Sequence, residues 1–314
     1  MEPFLLKELV QRALAEDLAY GDRTTESLFH QPIPAVGEVI AKQELLVAGL
    51  DVFQTVFECL DPTIRIEIHI VSGQSGKPGD LIASVYGDGR TLLKGERTAL
   101  NFFQRLSGIA TLTRRYVDQV AGTGARIVDT RKTTPGLRML EKEAVRVGGG
   151  WNHRFHLGDL ALIKDNHVAL AGGVTNALKE ARASLSHPFK IEVEVTTLAE
   201  VREAIQGGAA IILLDNMSLA EIKQAVELIR TNAPGVKIEA SGGVRLENVA
   251  AIAQCGVDMI SVGALTHSAP AVDLSLEIKP VSESANGESV EGEAPSGFAG
   301  GGGDASPRFP AEPD

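Results

Sequence analysis

Aromatic side chains are scarce in these 314 residues: they make up 4%, with one Trp, three Tyr and ten Phe. A core of any size must therefore be aliphatic, filled by Ala, Val, Ile and Leu. Cysteine is scarcer still. Cys59 and Cys255 lie in unrelated segments, which excludes a disulfide framework and a cysteine zinc site and leaves two reduced thiols in a cytoplasmic protein as the expectation. No apolar run escapes charged residues for membrane-spanning length, so no membrane role is expected. The first residues carry acids early and read as an amphipathic helix, not a leader. Nor is there an excess of positive charge. Thirty Lys and Arg face 41 Asp and Glu, a formal charge of −11, which argues against a nucleic-acid footprint.

What is abundant is glycine, with 33 residues, many paired just beyond apolar runs, as at Gly172-Gly173, Gly207-Gly208 and Gly242-Gly243. That is the punctuation of helices and loops in an α/β protein. The last stretch, 280–314, changes character. It is rich in Gly, Ser, Pro and Ala, and seven acids face Arg308 alone. Such a composition buries too little apolar surface to offset ordering entropy, so a disordered tail is expected, dispensable for whatever the rest does.

Over 1–106 the pattern is that of one α+β unit. Helices are expected over 4–17 and 49–60, and strands over 37–43, 64–71 and 81–86. Two further helices are expected over 89–107 and 109–121, with a turn over 21–25. From 107 to 268 apolar runs of strand length recur at 126–129, 160–164, 190–195, 210–215, 236–241 and 259–263, separated by helical stretches. Such alternation predicts a parallel sheet with both faces covered. Each run ends in a polar or small residue: Asp129, Lys164, Glu194, Asp215, Ser241 and Gly263. Polar groups on every strand end suit the mouth of an α/β barrel better than the single crevice of an open sheet. The alternating run 272–278, part of a segment 269–279, is expected to rejoin the first unit.

Charge is distributed unevenly. The stretch 127–167 gathers Arg131, Lys132, Arg138, Lys142, Arg146, Arg154 and Lys164, with His153, His156 and His167, against five acids. A cationic concentration inside an acidic chain points to a pocket for a small polyanion. Arg138, Lys142 and Arg146 fall on an expected helix, the last two on its solvated face. Glu194 and Asp215 read either as a divalent metal or ribose-hydroxyl site, or as rim salt bridges to Lys164 or Arg131, with Glu192 as a competitor on the same strand face. Lys164 suits a Schiff base or a fixed cation for a carboxylate. Ser241-Gly242-Gly243-Val244 precedes an expected helix and 262–267 another turn; small residues at both let backbone N–H groups approach a phosphate. The histidine spacings match no common zinc pattern. Arg97, by itself, reads as a solvated helix arginine.

Taken in order, GERTALNFFQRLSGIAT, DTRKTTPGLR, GGGWNHR, LIKDNH, EVEV, LLDN, SGGV and SVGALTHS closely resemble the quinolinate phosphoribosyltransferase family, from the N-terminal helix to about residue 278. The resemblance implies an N-terminal α/β sandwich plus an open α/β barrel with fewer than eight strands. It implies transfer of a phosphoribosyl group from phosphoribosyl pyrophosphate to quinolinate with decarboxylation, and a homodimer or larger assembly in which Arg97 reaches the neighbouring barrel in trans. By similarity Arg97, Arg131, His153, Arg154 and Lys164 meet quinolinate. Lys132 holds the pyrophosphate side, Glu194 and Asp215 take the ribose hydroxyls and Mg²⁺, and Ser241, Gly242, Gly263 and His267 line the phosphate cradle. His156 departs from the family, which usually has a small residue there. Other readings are a related transferase with another acceptor (nicotinate, or a molybdenum-associated homologue), a Schiff-base aldolase built on Lys164, and a catalytically silent binding protein.

Overall fold

A computed structural model of the chain describes residues 1–281. The expected disordered tail falls outside them from residue 282 onward. Two sheets organise the described residues. The first is antiparallel, in the order β12 (Leu274–Pro280), β1 (Pro34–Ala41), β5 (Leu81–Asp88), β3 (Arg65–Ile68). A small ribbon pairs β2 (Leu45–Leu46) with β4 (Ser75–Gly76). The final strand does return: β12 pairs antiparallel with β1 from Ala35↔Pro280 to Ala41↔Leu274.

Helix α1 (Pro3–Leu18) buries Leu6, Val10 and Leu14, the i, i+4, i+8 stripe of an amphipathic helix. The expected turn after it is a short helix, α2 (Arg23–Leu28), because the Asp22 carboxylate accepts the Thr25 N–H at 3.0 Å and caps it. Helices α3 (Leu50–Leu60) and α4 (Gly89–Gln119) pack together and α4 also lies against β1, β5 and β12. Phe53 joins them, with its ring 5.2 Å from Phe57 and 5.3 Å from Phe103.

One expectation fails here. The two helices proposed over 89–121 are the single helix α4, which runs through the anticipated break at residues 107 and 108. Ser107 exchanges hydrogen bonds with the backbone of Ala48, and a side chain at residue 108 would overlap the Pro270 carbonyl. Glycine stands there for close packing, not to end a helix. The expected division at 106/107 thus lies inside one helix.

The second sheet is parallel, in the order β6 (Arg126–Val128), β11 (Met259–Ser261), β10 (Lys237–Ser241), β9 (Ile211–Asp215), β8 (Ile191–Val195), β7 (Ala161–Ile163). Six strands curl into an open barrel with β6 and β7 as its edges. The intervening helices are α5 (Arg138–Val147), α6 (Asp165–Ala171), α7 (Val174–Ser184), α8 (Leu198–Gln206), α9 (Leu219–Asn232), α10 (Leu246–Ala253) and α11 (Ala264–His267). Helices α8 and α9 start at capping boxes, Thr197 with Glu200 and Ser218 with Glu221. Helices α6 and α11 were not foreseen. Both are short and carry little apolar periodicity.

Candidate active site

All six parallel strands point their C-terminal ends to one side. Following the sheet, that rim presents Arg131 and Lys132, then Gly263 and His267, Ser241 and Gly242, Asp215, Glu194 and Lys164. Two neighbouring pairs are joined directly. Lys164 Nζ lies 2.5 Å from Glu194 Oε2. Gly263 is flanked by Lys132 and His267, so that a Cβ at residue 263 would come within 3.0 Å of Lys132 Cδ and 3.1 Å of His267 Nε2. Here, then, the late-strand cradle and the lysine of the first strand's loop come together.

Asp215 is aimed by its neighbour. Asn216 has φ 54°, a left-handed backbone that Asn tolerates. Its N–H donates to Ser241 O at 3.0 Å and its side-chain amide to Asp215 Oδ2 at 2.7 Å. Gly242 packs against the same Asn216 with φ +87°, and a side chain at residue 242 would overlap Asn216 Oδ1.

The loop carrying Arg131 and Lys132 is moored by residues that the sequence reading missed. Arg105, from α4, donates to Glu141 Oε1 at 2.6 Å, to Thr134 Oγ1 at 2.7 Å and to Thr266 O at 2.9 Å. Buried Glu141 accepts the Thr134 N–H at 3.1 Å, and Thr266 Oγ1 donates to Lys132 O at 2.8 Å. The available signal was Glu141 itself, a charge on the apolar face of an amphipathic helix.

Lys142 overturns an expectation. Placed on a solvated helix face by its sequence, it is fully buried and paired with Asp129, also fully buried. Burial raises the Asp129 pKa and lowers that of Lys142, each opposed by the other's charge. The pair persists because hydrogen bonds complete it. Asn152 Nδ2 and the His153 N–H donate to Asp129 at 2.6 and 2.9 Å, and Lys142 Nζ donates to His153 O at 3.0 Å. Arg146 is exposed as expected. Arg138 ties two loops, donating to Thr133 Oγ1 and to Phe155 O.

Arg154 is half-buried and donates to Leu160 O at 2.9 Å. Burial, and then the charge of nearby Arg131, press its pKa below the ordinary guanidinium value. Two guanidinium groups that repel one another, neither in an ion pair among the described residues, make a spot that demands an anion. His156 is exposed, and its backbone N–H donates to Asp159 at 2.9 Å. Arg97 is not brought to this rim. Its side chain is 61% exposed on α4, 3.9 Å from Glu96.

Deeper in the barrel, beneath Glu194 and Ser241, sit Glu192 and Glu239, both buried. His153 Nε2 lies 3.1 Å from Glu192 and 3.6 Å from Glu239. Among the described residues, this trio is the one group of three His, Cys, Asp or Glu close enough to share an ion. Burial, then the charge of Glu192, push Glu239 up to about 7. A cavity of about 370 Å³ opens beside the edge strand β7, lined mainly by apolar residues with Arg154 and His167 at its margin. It adjoins the rim but does not include Glu194 or Asp215.

Comparisons with known proteins agree with this geometry. The domain described as "Quinolinate phosphoribosyl transferase, N-terminal domain" matches residues 22–107, and its C-terminal counterpart matches 109–277. A Bacillus subtilis protein named probable nicotinate-nucleotide pyrophosphorylase [carboxylating] is 43% identical over 284 residues, covering 90% of this chain and 97% of its own length. The crystal structure of NadC from Streptococcus pyogenes superposes with a TM-score of 0.85 at 41% identity, covering 90% of this chain and all of that one. The nicotinate-nucleotide pyrophosphorylase of Francisella tularensis gives a TM-score of 0.83 at 39% identity, over 89% and 98% of the two chains. This chain belongs to the quinolinate phosphoribosyltransferase family.

Proposed function

We propose that this chain transfers the 5-phosphoribosyl group of phosphoribosyl pyrophosphate to quinolinate, releasing pyrophosphate and CO₂ and forming nicotinate mononucleotide for NAD synthesis. The observation that carries this reading is that Arg131 and Arg154, in no ion pair among the described residues and close enough to repel one another, share a rim with Lys164, Asp215, Ser241-Gly242 and Gly263. One half of the rim suits a dicarboxylate and the other a phosphorylated sugar.

In this assignment Arg131, Arg154 and Lys164 bind the two carboxylates of quinolinate, guanidinium forks pairing bidentately with them. The backbone at Ser241-Gly242 and Gly263, with His267, takes the 5′-phosphate. Glu194 and Asp215 accept the ribose hydroxyls, and Lys132 meets the pyrophosphate. The pyridine nitrogen attacks C1 of the ribose while the C1–O bond to pyrophosphate breaks, through an oxocarbenium-like transition state. The two carboxylates of the protein favour that developing cation, and Lys132 neutralises the departing anion. In the resulting pyridinium the C2–CO₂ bond breaks, its electron pair stays on C2 as an ylide stabilised by the adjacent cationic nitrogen, and C2 then takes up a proton from water. No protein nucleophile is needed.

Glu194 and Asp215 offer hard carboxylate oxygens at neighbouring strand ends, and each keeps acceptor capacity beyond its bond to Lys164 or Asn216. That donor set fits Mg²⁺, which takes one or two carboxylates and completes its shell with substrate oxygens and water. Bound there, Mg²⁺ would stabilise the leaving pyrophosphate charge.

The reading extends to a homodimer or larger homo-oligomer in which Arg97, exposed on its own chain, completes the partner's acceptor site. Residence in the cytoplasm accords with two free cysteines and with no described helix long and apolar enough to cross a membrane. The test is a carboxyl-release assay with quinolinate, phosphoribosyl pyrophosphate and Mg²⁺. It should yield CO₂, with negligible turnover of nicotinate. Equal use of nicotinate would remove the dicarboxylate assignment.

A further inference from the structure

The protein hydrogen-bonds three of the four polar atoms of His153. Its N–H donates to Asp129, its carbonyl accepts from Lys142, and Nδ1 accepts the Arg154 N–H at 2.7 Å. Nε2 faces Glu192 and Glu239, which are 0% and 1% exposed. The reaction described above uses neither carboxylate.

The contact at Nδ1 settles where the ring proton is. An Nδ1 that accepts a backbone N–H carries no hydrogen, so the ring proton sits on Nε2 and points at the two carboxylates. The carboxylates raise the proton affinity of the ring against the opposing effect of burial. A second proton at Nδ1, however, would have to evict the Arg154 N–H. The same tautomer argues against a metal in this trio, since the ring nitrogen facing the carboxylates has no free lone pair.

Four oxygens of Glu192 and Glu239 have no hydrogen-bond partner of good geometry, and two buried anions side by side are costly. A proton on Glu239 relieves that cost, and Glu192, at 3.1 Å against 3.6 Å, is the nearer of the two to the ring.

We propose that Glu192 and Glu239 are positioning residues of the acceptor site: they hold His153 as the Nε2–H tautomer, and His153 Nδ1 holds the backbone of Arg154 and thereby the aim of its guanidinium. This rests on the assignment of Arg154 to the acceptor's carboxylate.

The test combines kinetics with nitrogen NMR on the full-length protein. In the wild type, ¹⁵N shifts of His153 should report a bare Nδ1 and a protonated Nε2; the opposite tautomer would overturn the proposal without any variant. Glu192→Leu should raise the KM for quinolinate about tenfold or more, with the KM for phosphoribosyl pyrophosphate within about twofold and the tautomer preference lost. Glu192→Gln, which keeps an acceptor oxygen, should restore most of that loss. Glu239→Gln mimics the protonated acid and should leave both constants near wild type. A folded Glu192→Leu with an unchanged quinolinate KM would sink the idea, as would a Glu239→Gln as damaged as Glu192→Leu. Arg154→Lys separates the two levels. If it leaves the quinolinate KM unchanged, the acceptor-site assignment itself is wrong; if it raises it while Glu192→Leu does not, only the positioning role fails.

Discussion

Lys164 and Glu194 are partners across neighbouring strands, with Nζ 2.5 Å from Oε2. The cation assigned to the acceptor and the carboxylate assigned to the ribose thus neutralise each other before either substrate is present. On those assignments an incoming quinolinate carboxylate would compete for the same ammonium and so couple the two halves of the rim.

Removing that lysine, or Arg131, should therefore cost turnover far more than stability. Lys164→Ala and Arg131→Ala are each expected to lower kcat/KM for quinolinate by roughly 10- to 150-fold, the range for losing a hydrogen bond to a charged group. Arg131 is exposed and Lys164 is half-buried, so thermal melts should stay close to wild type. A variant that keeps full turnover would exclude its residue from the site.

Gly263 offers a clean steric probe of the sugar-phosphate side. Its φ is −64°, open to any residue, so a substitution there tests space and not backbone strain. Gly263→Val should push on Lys132 and His267 and raise the KM for phosphoribosyl pyrophosphate, with a smaller effect on quinolinate. Steady-state kinetics in both substrates decides it.

Arg97 tests the assembly. If it acts in trans, Arg97→Ala mixed with Lys164→Ala and allowed to exchange subunits should regain activity, to roughly a quarter of wild type for random dimers. If it acts in cis, or not at all, the mixture stays at the average of its two components.

The tail should be dispensable, provided the cut spares one residue. Deletion of 281–314 would remove Val281, whose N–H donates to Pro34 O at 2.9 Å at the end of the β1–β12 pairing. A chain ending at Val281 is expected to keep wild-type kcat/KM. A large loss in that truncation would assign the tail a role in the reaction.

Glu239, held up at about 7, should leave a signature in stability. Its unfolded-state pKa lies near 4.5, so the folded protein binds its proton more tightly between those values. The contribution is fully present below about pH 4.5 and is lost as pH rises to about 7, on the order of 3 kcal/mol in all. Glu239→Gln cannot titrate. The wild-type minus variant difference in unfolding free energy should therefore fall across that window, and a flat difference would mean that Glu239 is ionised throughout.

Much of the barrel was readable because parallel strands covered on both faces must be short, apolar and bounded by turn residues. All six runs became strands within a few residues of their expected ends, and their polar termini marked the rim. Lys142 and Glu192 show where such reading stops. Local pattern assigns a charged residue on a helix to solvent, and it cannot tell which of two carboxylates on one strand face reaches the rim. Lys142 is buried because Asp129, at the end of a different element, supplies a countercharge and its hydrogen bonds. Arg105 was invisible for a similar reason: its three acceptors lie 29 to 161 residues away in the chain.

By itself the sequence determined the family, the alternation of strands and helices, and the residue types gathered at the strand ends. Each of these follows from local order, spacing and polarity. Only the tertiary structure decided that α4 runs unbroken past Gly108, that Lys142 is an interior charge, and that His153 turns both ring nitrogens inward. Those outcomes depend on which distant side chain stands ready to satisfy a buried polar group, and local pattern does not carry that information.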